Sequence, residues 1–104
     1  MDLRGEPDVT VQFGVGFDIF DYALECIIVT PGTRVTFSGS FQSHPLVGGE
    51  IVGDAAEPDP ASPFGRTDSG SMRTFELDTE GTYGYYCEAH GVALHMWGAV
   101  IVAP

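Results

Sequence analysis

The feature that most restricts the fold is the spacing of turn-forming residues. Fourteen glycines and seven prolines punctuate a chain of 104 residues. The segments between them are short, and several alternate apolar with polar residues. Val9-Thr10-Val11-Gln12-Phe13, Thr33-Arg34-Val35-Thr36-Phe37 and Arg73-Thr74-Phe75-Glu76-Leu77 each have the two-residue period of a half-buried strand. Val35 and Phe37 fall on the expected core face. Cys26–Val29 and Trp97–Val102 read as short apolar strands, and Thr82–Tyr86 as an aromatic one. Gly14 and Gly16 break or bulge the first strand. Pro31-Gly32 and Asp78-Thr79-Glu80-Gly81 are turns. No segment shows an amphipathic helical period. About seven to eight short strands therefore imply an all-β fold, a Greek-key sandwich or barrel.

Two stretches give weaker signals. Residues 1–8 read as a loose polar lead-in. Residues 48–71 read as one long irregular segment: Pro58, Pro60 and Pro63, with five glycines, exclude a long helix. A short turn of helix fits near Asp54–Glu57. Phe64 is expected to cover the core or its rim, and Met72 to pack inside. The length is that of one domain, residues 1–104.

Charge narrows the function classes. Fifteen Asp and Glu face four Arg, with no Lys, for a net charge of −11. Nucleic acid and anionic membrane surfaces both require basic residues, so neither is an expected partner. The negative field suits a positively charged partner and salt-sensitive association; it also serves solubility, as in salty habitats. No apolar run reaches membrane-spanning length. The first residues lack the basic start and apolar core of a signal peptide.

The chemistry concentrates in Tyr86-Cys87-Glu88-Ala89-His90-Gly91-Val92-Ala93-Leu94-His95-Met96-Trp97-Gly98. A thiolate, imidazoles and a thioether are soft or borderline donors, and together they suit copper. One more histidine exists, His44, just past the Thr33–Phe37 strand. A loop joining two strands can meet it at one pole of a sandwich. Two imidazoles, one thiolate and a weak axial Met96 then make the donor set of a blue-copper electron-transfer site. Taken singly, each of these residues also has an ordinary structural reading as core or surface.

The chain resembles the plastocyanin-like, or cupredoxin, family. Gly81-Thr82-Tyr83-Gly84-Tyr85-Tyr86-Cys87-Glu88-Ala89-His90 resembles its G-x-Y-x-[YF]-x-C-x-x-H signature, and Met96-Trp97-Gly98-Ala99-Val100 its M-x-G-x-[VI]. Val29–Phe37 resembles the strand, turn and strand before the first histidine. The resemblance implies one type 1 copper held by His44, Cys87, His90 and Met96. It implies a single-electron carrier, not an enzyme, acting as a monomer on a transient redox partner outside the cytoplasm. A copper carrier and a metal-free interaction module are the alternatives.

The resemblance also implies an apolar patch around His90, from Gly91, Val92, Ala93 and Leu94 with Pro45 and Leu46. Tyr86 matches a second docking site flanked by acids. The chain departs from the family at three places. Five residues separate His90 from Met96, one more than usual, which leaves His95 as an alternative axial ligand. Pro45 replaces a residue whose N–H hydrogen-bonds the cysteine sulfur in relatives. Cys26 has no ligand counterpart and reads as a buried structural thiol; a Cys26–Cys87 disulfide is the competing reading and would destroy the site.

Overall fold

The structure is a computed structural model, described over residues 1–15, 18–22, 26–91 and 96–104, with the side chains of residue 15 and of 18–22 left aside. Ten strands are described: β1 (Asp8–Val15), β2 (Asp18–Tyr22), β3 (Cys26–Val29), β4 (Thr33–Ser38), β5 (Leu46–Val52), β6 (Ala55–Pro58), β7 (Arg66–Thr67), β8 (Met72–Leu77), β9 (Gly81–Cys87) and β10 (Trp97–Val102). They form a β-sandwich. One sheet has the order β2-β1-β4-β8; the other has β3-β10-β9-β5-β6, with β7 also paired to β5. The chain passes repeatedly between them: β1 and β2 in the small sheet, β3 in the large, β4 in the small, β5 to β7 in the large, β8 in the small, and β9 and β10 in the large.

The all-β expectation holds, and so do the alternating strands. The pairing of β1 with β2 shifts register between Phe13 and Val15, at Gly14 with its φ of 67°. Gly16 lies outside the described residues.

Residues 48–71 differ from expectation. They contain most of β5, all of β6 and β7, and no helical turn at 54–57. Two of the glycines there, Gly48 and Gly49, serve close packing. A Cβ on Gly48 would collide with the Ser62 side chain, and one on Gly84 with the Gly49 carbonyl. The lead-in is also tied down. The Leu3 N–H donates to the Ile28 carbonyl at 2.8 Å and the Ile28 N–H to that of Met1 at 2.9 Å. This short bridge covers the outer edge of β3, where an open strand edge would invite pairing with another chain.

The core lies between the sheets. Phe37 of β4 and Phe75 of β8 face Tyr85 of β9, and Phe64 fills the space between them. Ring centroids are 4.9 Å apart for Phe37–Tyr85, 5.4 Å for Phe37–Phe64 and 5.1 Å for Phe64–Phe75, all near edge-to-face. That arrangement sets the positive ring edge against the negative face. Phe64 is therefore a central core residue and not a rim cover.

Two side chains expected inside are outside. Cys26 is exposed, and Met72 is 67% exposed. In each case the strand's alternation decides. Ile27 and Val29 point inward from β3, so Cys26 and Ile28 point outward; Phe75 and Leu77 set the inward phase of β8, so Met72 points outward. Cys26 and Cys87 are both free thiols, so the disulfide reading fails.

Phe64→Ala is expected to cost about 3–5 kcal/mol of stability, a large share of the whole for a domain this size. Denaturant unfolding of the two proteins measures it.

Candidate metal centre

Three strands of the large sheet end together at one pole. Leu46 of β5 pairs with Cys87 of β9. On the other side of β9, Trp97 of β10 pairs with Tyr86, and the Cys87 N–H donates to the Met96 carbonyl at 2.9 Å. Two residues before Leu46 stands His44, in the turn that follows β4. Its N–H donates to the Ser40 carbonyl at 2.9 Å, and its ring lies edge-on to Phe13, 6.2 Å between centroids. The Glu88 N–H donates to the Pro45 carbonyl at 2.9 Å, tying the β9–β10 loop to the histidine turn. The loop then turns back over the pole and brings in His90.

The ring nitrogens and the sulfur converge. His44 Nδ1 lies 3.2 Å from His90 Nδ1 and 3.7 Å from Cys87 Sγ, and His90 Nδ1 lies 3.5 Å from that sulfur. A point equidistant from all three is about 2.0 Å from each, the circumradius of that triangle. Bonds from a metal such as zinc to imidazole nitrogen and to thiolate are roughly 2.0–2.1 and 2.3 Å. The donor set therefore fits a metal ion in near-trigonal geometry. Burial helps: Cys87 is 0% and His44 8% exposed, with His90 half-buried. Met96, 0% exposed, sits in the core cluster with Cys87, and its N–H donates to the His90 carbonyl at 3.4 Å. His95 lies outside the described residues.

Burial also sets the protonation of the donors. It holds the His44 imidazole below its ordinary pKa, and the neighbouring His90 adds to this. His44 is thus kept neutral, the form that ligates a metal. Burial pushes the Cys87 thiol up, while the backbone N–H groups of His90 and Ala89 partly offset this by bonding to the sulfur. These donors come from the loop after the cysteine. Pro45, in the histidine turn, has no N–H to offer.

The surroundings correct two expectations. Leu46 is fully buried and Gly91 is buried, so neither forms part of an apolar surface patch; Pro45 is half-buried, and Val92, Ala93 and Leu94 lie outside the described residues. Tyr86 is only 4% exposed. One contact was not legible in the sequence. Arg66 of β7 grips Glu88, the residue after Cys87, at 2.7 and 2.8 Å. Nothing local marks a pair 22 residues apart, although arginines are scarce in this chain.

The chain belongs to the family of copper-binding proteins of plastocyanin and azurin, whose model matches residues 9–103. Its site fits a single type 1 copper. Among solved structures, the pseudoazurin of Methylobacterium extorquens AM1 is similar with a TM-score of 0.62 at 24% identity, over 92% of this chain and 75% of that one. An auracyanin from Roseiflexus castenholzii is similar at 0.55 and 21%, over 95% and 98%. A copper-containing nitrite reductase from Thermus scotoductus SA-01 gives 0.59 and 22%, over 93% of this chain and 22% of that one. At these identities the likenesses speak to the fold. No curated protein matched the sequence.

Pro45→Asn restores a backbone donor at the histidine turn. A further hydrogen bond to the thiolate draws electron density from sulfur and favours Cu(I). The copper-loaded variant is expected to show a higher reduction potential in voltammetry than the wild type; an equal or lower one refutes this account.

Proposed function

We propose that this protein carries single electrons, with His44, Cys87 and His90 as the strong ligands of its copper and Met96 as the weak axial one. The observation that carries the reading is the buried triangle of Nδ1, Nδ1 and Sγ atoms with sides of 3.2, 3.5 and 3.7 Å. When bound, copper supplies a one-electron Cu(I)/Cu(II) couple. The chain's own contribution is to hold the donors still between two packed sheets, so that little rearranges on transfer. His44, Cys87 and Met96 exclude water. His90, the half-buried member, offers the short route to the surface.

A carrier fits this geometry better than an enzyme or a metal chaperone. Turnover at a metal needs an open coordination position. Ready release needs exposed ligands, and two of the three strong donors are buried. We place the protein outside the cytoplasm, by analogy with the copper chemistry and not from any feature of the chain.

The partner reading rests on charge. An open groove of about 640 Å³ lies on the outer face of the large sheet, under the β5–β6 hairpin. Glu50, Glu57 and Asp59 line it, with no Arg or His among the described residues of its lining. Glu50 pairs directly with Glu57 across the hairpin. Like charges so placed repel, and a cationic partner relieves the repulsion. Trp97, which follows Met96, also lines the groove. We read the groove as the docking surface for a positively charged redox partner, in place of the buried Tyr86.

Adding Cu(II) to metal-free protein tests the first reading. An intense thiolate-to-copper band and a reversible one-electron wave are expected, both lost in Cys87→Ser. Weak colour with easy metal loss points instead to a copper carrier, and no binding to an interaction module. Met96→Leu is expected to stay blue at a higher potential; a potential unchanged in Met96→Leu but raised in His95→Ala transfers the axial role to His95.

Electron transfer to a cationic one-electron reagent is expected to slow steeply with added salt, and transfer to an anionic one to quicken. Glu50→Gln with Glu57→Gln reduces the first slope. Stopped-flow rates at several ionic strengths decide this.

A further inference from the structure

The structure assigns Arg66 as a positioning residue for the loop that carries Cys87 and His90, acting through Glu88. Its consequence for the copper rests on the electron-carrier reading; its geometry does not.

Glu88 is held twice, and both holds end on the His44 side of the site. Its backbone N–H donates to the Pro45 carbonyl at 2.9 Å. Its carboxylate accepts two hydrogen bonds from Arg66, Nε to Oε2 at 2.7 Å and Nη2 to Oε1 at 2.8 Å. Arg66 in turn belongs to β7, which pairs with β5 at Val47 and, through Thr67, at Leu46. Those residues immediately follow His44 and Pro45. Glu88 is thus a cross-tie. It fixes the first residue of the Cys87–His90 loop to the strand that begins just after the first histidine. The distances from His44 Nδ1 to His90 Nδ1 and Cys87 Sγ depend on that tie.

The fork geometry is what makes the tie directional. Two parallel N–H···O bonds fix the carboxylate in orientation as well as distance. A third bond, from Arg66 Nη1 to Asp68 Oδ2 at 2.6 Å, holds the guanidinium from the other side. A lysine supplies the same charge at one point and no fork. Exposed ion pairs contribute little to overall stability, and Arg66 and Glu88 are each about half exposed, at 48% and 47%. The clamp's effect is therefore local to the loop.

Arg66→Lys keeps the net charge and removes the fork. Arg34→Lys is the control, because Arg34 makes a similar two-bond bridge to Asp8, at 2.7 and 3.1 Å, on the small sheet. In the metal-free protein, hydrogen exchange of the Glu88 amide is expected to run roughly two- to fivefold faster in Arg66→Lys and in Glu88→Gln than in the wild type. It is expected to be unchanged in Arg34→Lys. In the copper-loaded protein, Arg66→Lys is expected to change the intensity ratio of the visible bands and the copper hyperfine splitting, again unlike the control.

Wild-type exchange in both site variants overturns the clamp. Faster exchange with an unchanged copper spectrum reduces it to a surface staple and overturns the positioning role. A wild-type protein that gains no blue band overturns the electron-carrier reading instead, while the exchange measurement still tests the clamp.

Discussion

The structure depends on the register of three adjacent strands. Leu46 stands opposite Cys87, and the Cys87 N–H reaches the Met96 carbonyl. Side chains in a strand alternate between faces, so a slip of one residue in either pairing turns Cys87 outward or carries Met96 away from it. Burial guards the register. Leu46, Tyr85, Cys87, Val100 and Val102 all point into the core, and a slip exposes that whole set. The site is therefore specified by the hydrophobic core beneath it. His44 needs no strand of its own, since it lies two residues ahead of a correctly registered one.

The strands around the site are nearly as they read in the sequence, because two-residue alternation is a strong signal where one face is buried. β3 and β10 have the bounds that their apolar runs suggest. The hairpin of β5 and β6 was hidden by its glycines and Pro58. Gly49, at φ of 152°, and Gly48 sit where the backbone and Ser62 crowd in, so they mark close contact and not a break. Cys26 was misleading for another reason. Its neighbours are apolar on every following position, and composition alone suggests burial, while the alternation set by Ile27 and Val29 turns it outward.

The candidate donors stood out in the sequence because their chemistry is unusual. Two imidazoles, a thiol and a thioether in a chain with three histidines leave few combinations. The supports around them were not legible. Arg66 meets Glu88 only because β7 adds to β5, a two-residue pairing with no sequence signature. The same holds for the groove acids. Glu50 and Glu57 are ordinary loop carboxylates in the sequence, and only the hairpin register sets them face to face.

The four arginines share one circumstance. Arg4 bonds Asp2, Arg34 bonds Asp8, Arg66 bonds Asp68 and Glu88, and Arg73 lies against Thr67 and the Phe75 ring. Three of these charges are held by carboxylates and the fourth by a hydroxyl and a ring, and the net charge of −11 must be balanced by ions from the solvent. The molecule travels inside a sheath of small cations. Copper ions are drawn into that sheath before they meet the ligands, and so are the calcium, magnesium and zinc that compete with them. The ionic make-up of the medium therefore governs how quickly such a protein acquires its metal, quite apart from how firmly the finished site holds it.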